Sequence, residues 1–390
     1  MLIHRNLEKI LKKTIKKYPV ISLTGPRQSG KTTLIKKLFG NKYKYVNLEN
    51  VELREYAKSD PRAFLEEYKG GLIIDEAQNV PDLFSYIQVI VDETNEPGQY
   101  ILTGSQNFLL LEKITQSLAG RVAIFHLLPL SLEELKKSKY KPLSNLEKLL
   151  FTGFYPRIYD KKLDAKEWYS NYLYTYVERD IRTIKNIKDI GTFQRFLKML
   201  AARCGQLLDL TSIGNDCGIS HNTARDWINI LEASFIIYLL SPHYKNFNKR
   251  LIKSPKIYFY DTGLLCHLLG INSSDQIKTH YLRGGIFESF IISEIIKIRT
   301  NKNKDSNVYF WRDKFGHEID CIIENARNLT PIEIKSAKTI HTNFFEGLDY
   351  FNSLSKNTPE NSFLIYAGSE NYQRKIAKVL SWKNIDKLSL

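Results

Sequence analysis

Cysteine is scarce: the 390 residues contain four, Cys204, Cys217, Cys266 and Cys321, and none of them forms a C-x-x-C pair. That spacing argues against a thiolate metal site or a disulfide framework, so the four read as scattered, reduced core thiols. No apolar run approaches the roughly 20 residues a membrane-spanning helix needs. The first ten residues, Met1 to Ile10, lack the apolar centre of a leader and read as an amphipathic helix. These absences point to a cytoplasmic chain with no membrane partner. There is no low-complexity tract and no internal repeat, which argues against disordered and solenoid architectures. Acidic residues are also in deficit, 42 against 57 basic ones, for a net charge of +15. Such a balance suits a polyanionic partner, although a lysine-rich composition alone can produce it. A chain of this length is expected to form two to four domains.

The most specific pattern that is present is Gly25-Pro26-Arg27-Gln28-Ser29-Gly30-Lys31-Thr32, followed by Thr33. It fits G-x-x-x-x-G-K-[ST] at every fixed position. A buried-strand run (Val20–Leu23) precedes it and a helical segment (Thr33–Leu38) follows. That context places backbone N–H groups at a helix N-terminus, where unpaired donors and the dipole favour a polyphosphate. Lys31 would reach the β- and γ-phosphates, and the Thr32 hydroxyl would hold Mg²⁺. Residues 25–33 are therefore the candidate ATP contacts. A second run, Gly71-Leu-Ile-Ile-Asp75-Glu76, is an apolar strand ending in two carboxylates. Asp75 would hold Mg²⁺ and Glu76 would activate the attacking water. A third strand, Gln99–Gly104, ends at Ser105 and Gln106, which are either polar γ-phosphate sensors or turn residues. Arg121, just before the strand Val122–Leu127, is either an arginine finger or a surface cation paired with an acid.

Strand candidates at Val20–Leu23, Tyr43–Leu48, Leu72–Ile74, Tyr100–Thr103 and Val122–Leu127 alternate with helical segments. The alternation predicts a mostly parallel sheet over residues 1–130, with helices on both faces. Residues 131–190 read as a helical lid that begins with a capping-box pattern at Ser131. Within it, Arg179 and Arg182 could serve as a second sensor or form salt links along one helix. Residues 191–265 read as a winged helix-turn-helix, with helices at Leu210–Asp216 and His221–Ala233 and a hairpin from Phe235–Leu240 and Lys256–Tyr260. Between Glu232 and Asp261 there is no acid, while Lys245, Lys249, Arg250, Lys253 and Lys256 fall there with Tyr244 and Phe247. This basic segment, 243–256, is a candidate DNA contact, with His221, Asn222 and Arg225 as recognition residues. The alternative is a winged helix that packs on the first domain and touches no DNA.

In residues 266–390, Glu288 lies on an amphipathic helix, Asp320 on one strand, and Glu333 and Lys335 on one face of the next. The spacing D-x₁₂-E-x-K suits a phosphodiester-cutting site. Asp320 and Glu333 would hold Mg²⁺, Lys335 would stabilise developing charge, and Glu288 would complete the set. A hairpin with a solvated charged face, or a nuclease fold used only for binding, accounts for the same pattern.

Taken in order, Gly-Pro-Arg-Gln-Ser-Gly-Lys-Thr-Thr (25–33), Leu-Ile-Ile-Asp-Glu-Ala-Gln (72–78), Ile-Leu-Thr-Gly-Ser-Gln-Asn (101–107), Leu-Ala-Gly-Arg (118–121), Tyr-Val-Glu-Arg-Asp-Ile (176–181), Tyr-Asp-Thr-Gly-Leu (260–264), Phe-Glu (287–288) and Ile-Glu-Ile-Lys-Ser (332–336) span nearly the whole chain. As a set they resemble bacterial and archaeal AAA-type P-loop ATPases with a winged helix and a C-terminal PD-(D/E)xK nuclease-like domain. The resemblance implies an α/β fold with an AAA-type parallel sheet, a helical lid, a winged helix-turn-helix and an α/β nuclease-like domain. It implies ATP bound through Lys31, Thr32 and Asp75, with Glu76 as water activator. It also implies nuclease-like positions at Glu288, Asp320, Glu333 and Lys335. Ile319 stands where the nuclease signature is named for proline. AAA-type sites often take their finger from a neighbouring subunit, so a homo-oligomer is a further expectation.

Overall fold

A computed structural model describes residues 3–104, 117–140, 145–176, 189–243, 253–326 and 328–388. The chain divides into two compact units. The first comprises residues 1–130 with two short later segments, and the second holds nearly all of the remainder.

The first unit begins with α1 (Glu8–Thr14), β1 (Val20–Thr24), α2 (Lys31–Phe39), β2 (Lys44–Asn47), α3 (Val51–Ser59), α4 (Pro61–Glu67) and β3 (Leu72–Asp75). It continues with α5 (Leu83–Thr94), β4 (Tyr100–Gly104) and β5 (Val122–His126). The five strands are all parallel, in the order β2-β3-β4-β1-β5. Strand side chains alternate faces, and the unit uses both. Val20, Leu72, Ile74, Tyr100 and Leu102 enter one core with Phe64, Phe84 and Ile87. Ile21, Leu23, Ile73 and Ile101 enter the other with Leu7, Leu11, Leu34 and Ile35. Both faces are therefore covered, as a parallel sheet requires. Local signals set the helix starts: Asn50 caps α3 through the Leu53 N–H at 3.2 Å, and Asp60 caps α4 ahead of Pro61.

The second unit begins with α6 (Leu132–Lys136), α7 (Leu146–Thr152), α8 (Pro156–Lys161), α9 (Ala165–Tyr176), α10 (Ile190–Ala202), α11 (Leu210–Cys217) and α12 (His221–Ala233). Ser131 and Glu134 form the expected capping box at the start of α6. Between α11 and α12 the chain turns through Gly218 at φ +68°, a conformation suited to glycine. Of the apolar positions expected to pack there, Ile213, Cys217, Ala224, Trp227, Ile228 and Leu231 are buried, and Ile219 is half-buried. The antiparallel pair β6 (Ile237–Leu240) and β7 (Lys256–Phe259) follows, then α13 (Thr262–Leu268) and the long α14 (Arg283–Asn301).

A six-stranded mixed sheet completes the unit: β8 (Val308–Arg312), β9 (Glu318–Asn325), β10 (Asn328–Lys335), β11 (Phe363–Tyr366), β12 (Tyr372–Gln373) and β13 (Lys378–Ser381). Its order is β12-β13-β11-β10-β9-β8, and α15 (Glu346–Ser355) lies between β10 and β11 in sequence. Pro331 falls inside the central strand β10, where a missing N–H is costly. The ladder to β11 begins one residue later, at Ile332 opposite Phe363. Among the described residues, no helix is long and apolar enough to cross a membrane.

Candidate nucleotide site and carboxylate cluster

The loop 25–30 leaves the C-terminal end of β1 and enters α2 at Lys31. Its backbone is specialised at three points. Gly25 has φ +147°, and a Cβ there would stand 2.3 Å from the Leu127 carbonyl oxygen. Gln28 takes a left-handed φ of +63°, and Gly30 caps α2 at φ +94° with no side chain closing the helix end. Gly30 brings no capping side chain to the start of α2, a helix end whose dipole favours an anionic acceptor. Lys31 is buried, and its Nζ donates to the carbonyls of Gly25 and Pro26, each at 2.9 Å. The Ser29 hydroxyl is fully buried and has no hydrogen-bond partner among the described residues. A concave loop with its ammonium folded onto its own carbonyls and a buried polar atom in reserve fits a polyphosphate.

Asp75, at the end of β3, gathers three hydroxyls. Thr32 Oγ1 donates to Oδ2 at 2.8 Å, Tyr45 O–H to Oδ2 at 2.7 Å, and Thr103 Oγ1 to Oδ1. β4 lies between β3 and β1, yet the register Asp75–Thr103–Leu23 aligns the strand ends and brings Asp75 to Thr32. The Thr32 hydroxyl and the Asp75 carboxylate are hard oxygen donors at one point, a set that fits Mg²⁺. Glu76 follows in the left-handed region at φ +53°, and its carboxylate accepts from Gln78 Nε2. A non-glycine residue in that region stores strain, which concentrates at functional positions.

Arg121 sits elsewhere. It precedes β5, and its carbonyl accepts from the N–H of the first residue of β1, at the end of the sheet opposite the loop. The five residues of β1 separate the two ends by about 15 Å. Its guanidinium is paired with Asp92 on α5. Within its own chain, the reading of Arg121 as a γ-phosphate contact therefore gives way to the surface pairing. A finger role is open to it only on another copy. Ser105, Gln106, Arg179, Arg182 and the greater part of the basic segment, residues 244–252, lie outside the described residues. His221, Asn222 and Arg225 are exposed on the first turns of α12.

His126 ends β5 opposite Thr24, the residue before Gly25, and its Nδ1 shares a 2.7 Å hydrogen bond with the Thr24 hydroxyl. Burial pushes its pKa down from 6.5 to about 4. A depressed histidine pKa contributes stability that is complete above the unfolded value and disappears as pH falls through 6.5 toward 4, an effect of up to roughly 3 kcal/mol. Denaturant unfolding at pH 7 and pH 5 is expected to show a smaller acid-induced loss in His126→Gln than in the wild type. Equal losses in both proteins would refute this account of His126.

In the second unit, the four C-terminal positions converge. Lys335 Nζ lies 2.9 Å from Glu333 Oε2 and 3.7 Å from Asp320 Oδ2, and the Ile334 N–H donates to Asp320 Oδ2 at 2.8 Å. Glu288 comes from α14. Three residues that sequence reasoning did not place here complete the cluster: Lys256 and Tyr258 from β7, and Glu318 from the start of β9. Lys256 Nζ lies 3.3 Å from Glu288 Oε1 and is paired with Glu318, while Tyr258 O–H donates to Glu288. Lys256 is buried. Its expected role among the DNA-facing cations is therefore corrected, because its charge is used inside the fold. Burial and the neighbouring Asp320 push Glu333 well above the usual carboxylate range. Burial lifts Glu288 to about 7 against the pull of Lys256. Burial would also raise Asp320, but Lys335 and Lys256 hold it below its ordinary value. The shared site thus holds Asp320 toward its anionic form and Glu333 toward its protonated form. Two ammonium groups occupy the ground between the acids. Among the described residues, no group of three or more His, Cys, Asp or Glu side chains stands ready to hold a metal.

Residues 17–136 match the AAA domain family, and residues 143–275 and 283–385 match two domains of unknown function, DUF8612 and DUF4143. The chain is 30% identical over 332 residues to the uncharacterized protein Rv2008c of Mycobacterium tuberculosis and equally to Mb2031c of Mycobacterium bovis. Each alignment covers 84% of this chain and 73% of the relative. Among solved structures, the Walker-type ATPase PABY2304 of Pyrococcus abyssi is 16% identical, with a TM-score of 0.46, covering 68% of this chain and 96% of that one. The Thermotoga maritima RuvB branch migration motor is 17% identical, with a TM-score of 0.30, covering 60% and 88%.

Proposed function

Because the chain belongs to the family of the mycobacterial proteins Rv2008c and Mb2031c and carries an AAA domain, we propose that it is a Mg²⁺-dependent ATPase whose nucleotide state governs the second unit. The observation that carries this reading is the convergence of Lys31, Thr32 and Asp75 at the N-terminus of α2. In it, backbone N–H groups of the 25–33 segment other than Pro26 wrap the triphosphate, Lys31 leaves its loop carbonyls for the phosphates, and Glu76 orients water. Bound Mg²⁺ would neutralise charge on the phosphates, held by Thr32 and Asp75. Calorimetry with ATP and Mg²⁺, followed by phosphate-release assays, tests it; a folded protein that takes up no ATP would end it.

The output is a nucleic-acid-binding or nuclease-like activity of the second unit. α11, α12 and the β6–β7 pair support a winged helix with His221, Asn222 and Arg225 outward, and Asp320, Glu333, Lys335 and Glu288 support a nuclease-like site. A second reading, a nuclease-like fold used as a nucleotide-gated binding module, is favoured by the two lysines filling the carboxylate cluster. The readings part in one assay. A working nuclease cuts DNA or RNA with Mn²⁺ or Mg²⁺, and Asp320→Ala and Lys335→Ala each lower cutting by at least about 100-fold. No cutting with either metal, with or without ATP, leaves the binding module.

A further inference from the structure

We propose that Arg5 is the positioning residue of the phosphate loop: its guanidinium pins the Ser29–Gly30 peptide so that the Gly30 amide faces the polyphosphate. This rests on the triphosphate reading above.

Arg5 lies ahead of α1, in a segment without regular structure, and is buried. Its Nη1 donates to the Ser29 carbonyl at 2.8 Å and its Nη2 to the Leu128 carbonyl at 2.6 Å. Its backbone N–H donates to Glu8 Oε1 at 3.0 Å, and the same carboxylate meets Lys37 Nζ of α2 at 2.8 Å. The arginine is thus anchored to the helix that the loop opens, and its fork grips the loop itself.

Peptide geometry gives that grip its meaning. The Ser29 carbonyl and the Gly30 N–H belong to one planar trans unit, so they point in opposite directions. Holding the carbonyl back toward Arg5 aims the amide the other way. Without that hold, little would restrain the unit, because glycine at φ +94° moves freely among conformations closed to other residues. A cationic donor on the carbonyl also polarises the amide and strengthens it as a donor. The second arm acts on the chain just after β5. Leu127, next to the gripped Leu128, is the residue whose carbonyl crowds Gly25. The loop is therefore held at both ends against one segment: Gly25 by close packing and Ser29 by the arginine.

Lysine could keep the charge but could not span two carbonyls with a planar fork. The test compares wild type, Arg5→Lys and Arg5→Met by calorimetry with ATP and ADP, with thermal melting alongside. Arg5→Met is expected to weaken ATP binding about 10-fold to 100-fold, the loss of a charge-assisted contact, and Arg5→Lys by an intermediate factor. If Arg5→Met does not fold, Arg5→Lys decides the matter by its ATP affinity. A brace with no part in binding lowers the melting temperature and leaves both affinities within twofold of wild type; that result overturns the proposal. Wild-type protein that binds no ATP removes the nucleotide reading and this inference together, whereas wild type that binds beside unaffected variants removes only this inference.

Discussion

Lys31→Ala is expected to abolish ATP turnover, with a fall of about 10³-fold or more in phosphate release at saturating ATP and Mg²⁺. The ammonium is buried and lies on the Gly25 and Pro26 carbonyls at 2.9 Å. It is already inside the loop and needs only a side-chain rotation to exchange two carbonyls for phosphate oxygens. Alanine removes a buried cation from within the cradle. The same substitution frees two loop carbonyls, and hydrogen bonds to a charged group contribute about 1.5–3 kcal/mol, so some loss of thermal stability should accompany it. The two effects separate cleanly. Stability falls by a small multiple of RT, while turnover falls by orders of magnitude in protein that is still folded. Undiminished turnover in a folded Lys31→Ala protein would exclude the loop as the place of hydrolysis.

The first unit was largely legible because its signals are local. A phosphate loop is a run of fixed spacing, and the five parallel strands are short apolar runs that end where Gly25, Glu76 and Ser105 begin. The order of those strands was not legible. Nothing in the sequence places β4 between β3 and β1, whereas the position of Arg121 ahead of a parallel strand already sets it at the end of the sheet away from the loop. In the second unit, Asp320, Glu333 and Lys335 were legible from strand periodicity, and Glu288 from its helix. Lys256 was misread because a lysine beside a basic tract looks like a surface charge; what buries it is the carboxylate of Glu288, 32 residues on. Arg5 carried no signal at all, since its partners are backbone carbonyls at Ser29 and Leu128 and any residue supplies a carbonyl. The strands after Lys335 were also not foreseen, although β11 and β13 complete the sheet around β10.

Lys256→Met is expected to cost about 3–5 kcal/mol at pH 8, because removing one partner of a buried ion pair strands the other. Here two partners are stranded, Glu288 and Glu318. The loss must depend on pH in a defined direction. Glu288 already has its pKa raised to about 7, burial outweighing the lysine, and removal of the lysine raises it further. An acid with a raised folded pKa stabilises the fold fully below its unfolded value and loses that stabilisation as pH rises through the folded one. The deficit of Lys256→Met is therefore smaller at pH 5, where Glu288 is protonated in the folded state, and larger at pH 8, where it is ionised. Denaturant unfolding at the two values measures it; a variant as stable as wild type at pH 8 would mean that the cluster carries no buried charge for Lys256 to balance. Millimolar Mn²⁺ adds a second axis. If the carboxylates are built to receive a divalent cation, Mn²⁺ should restore much of the variant's stability at pH 8 while changing the wild type little, since the ammonium holds that ground already. If Mn²⁺ restores nothing, the ground vacated by Lys256 does not take this divalent cation, which favours the binding-module reading of the second unit.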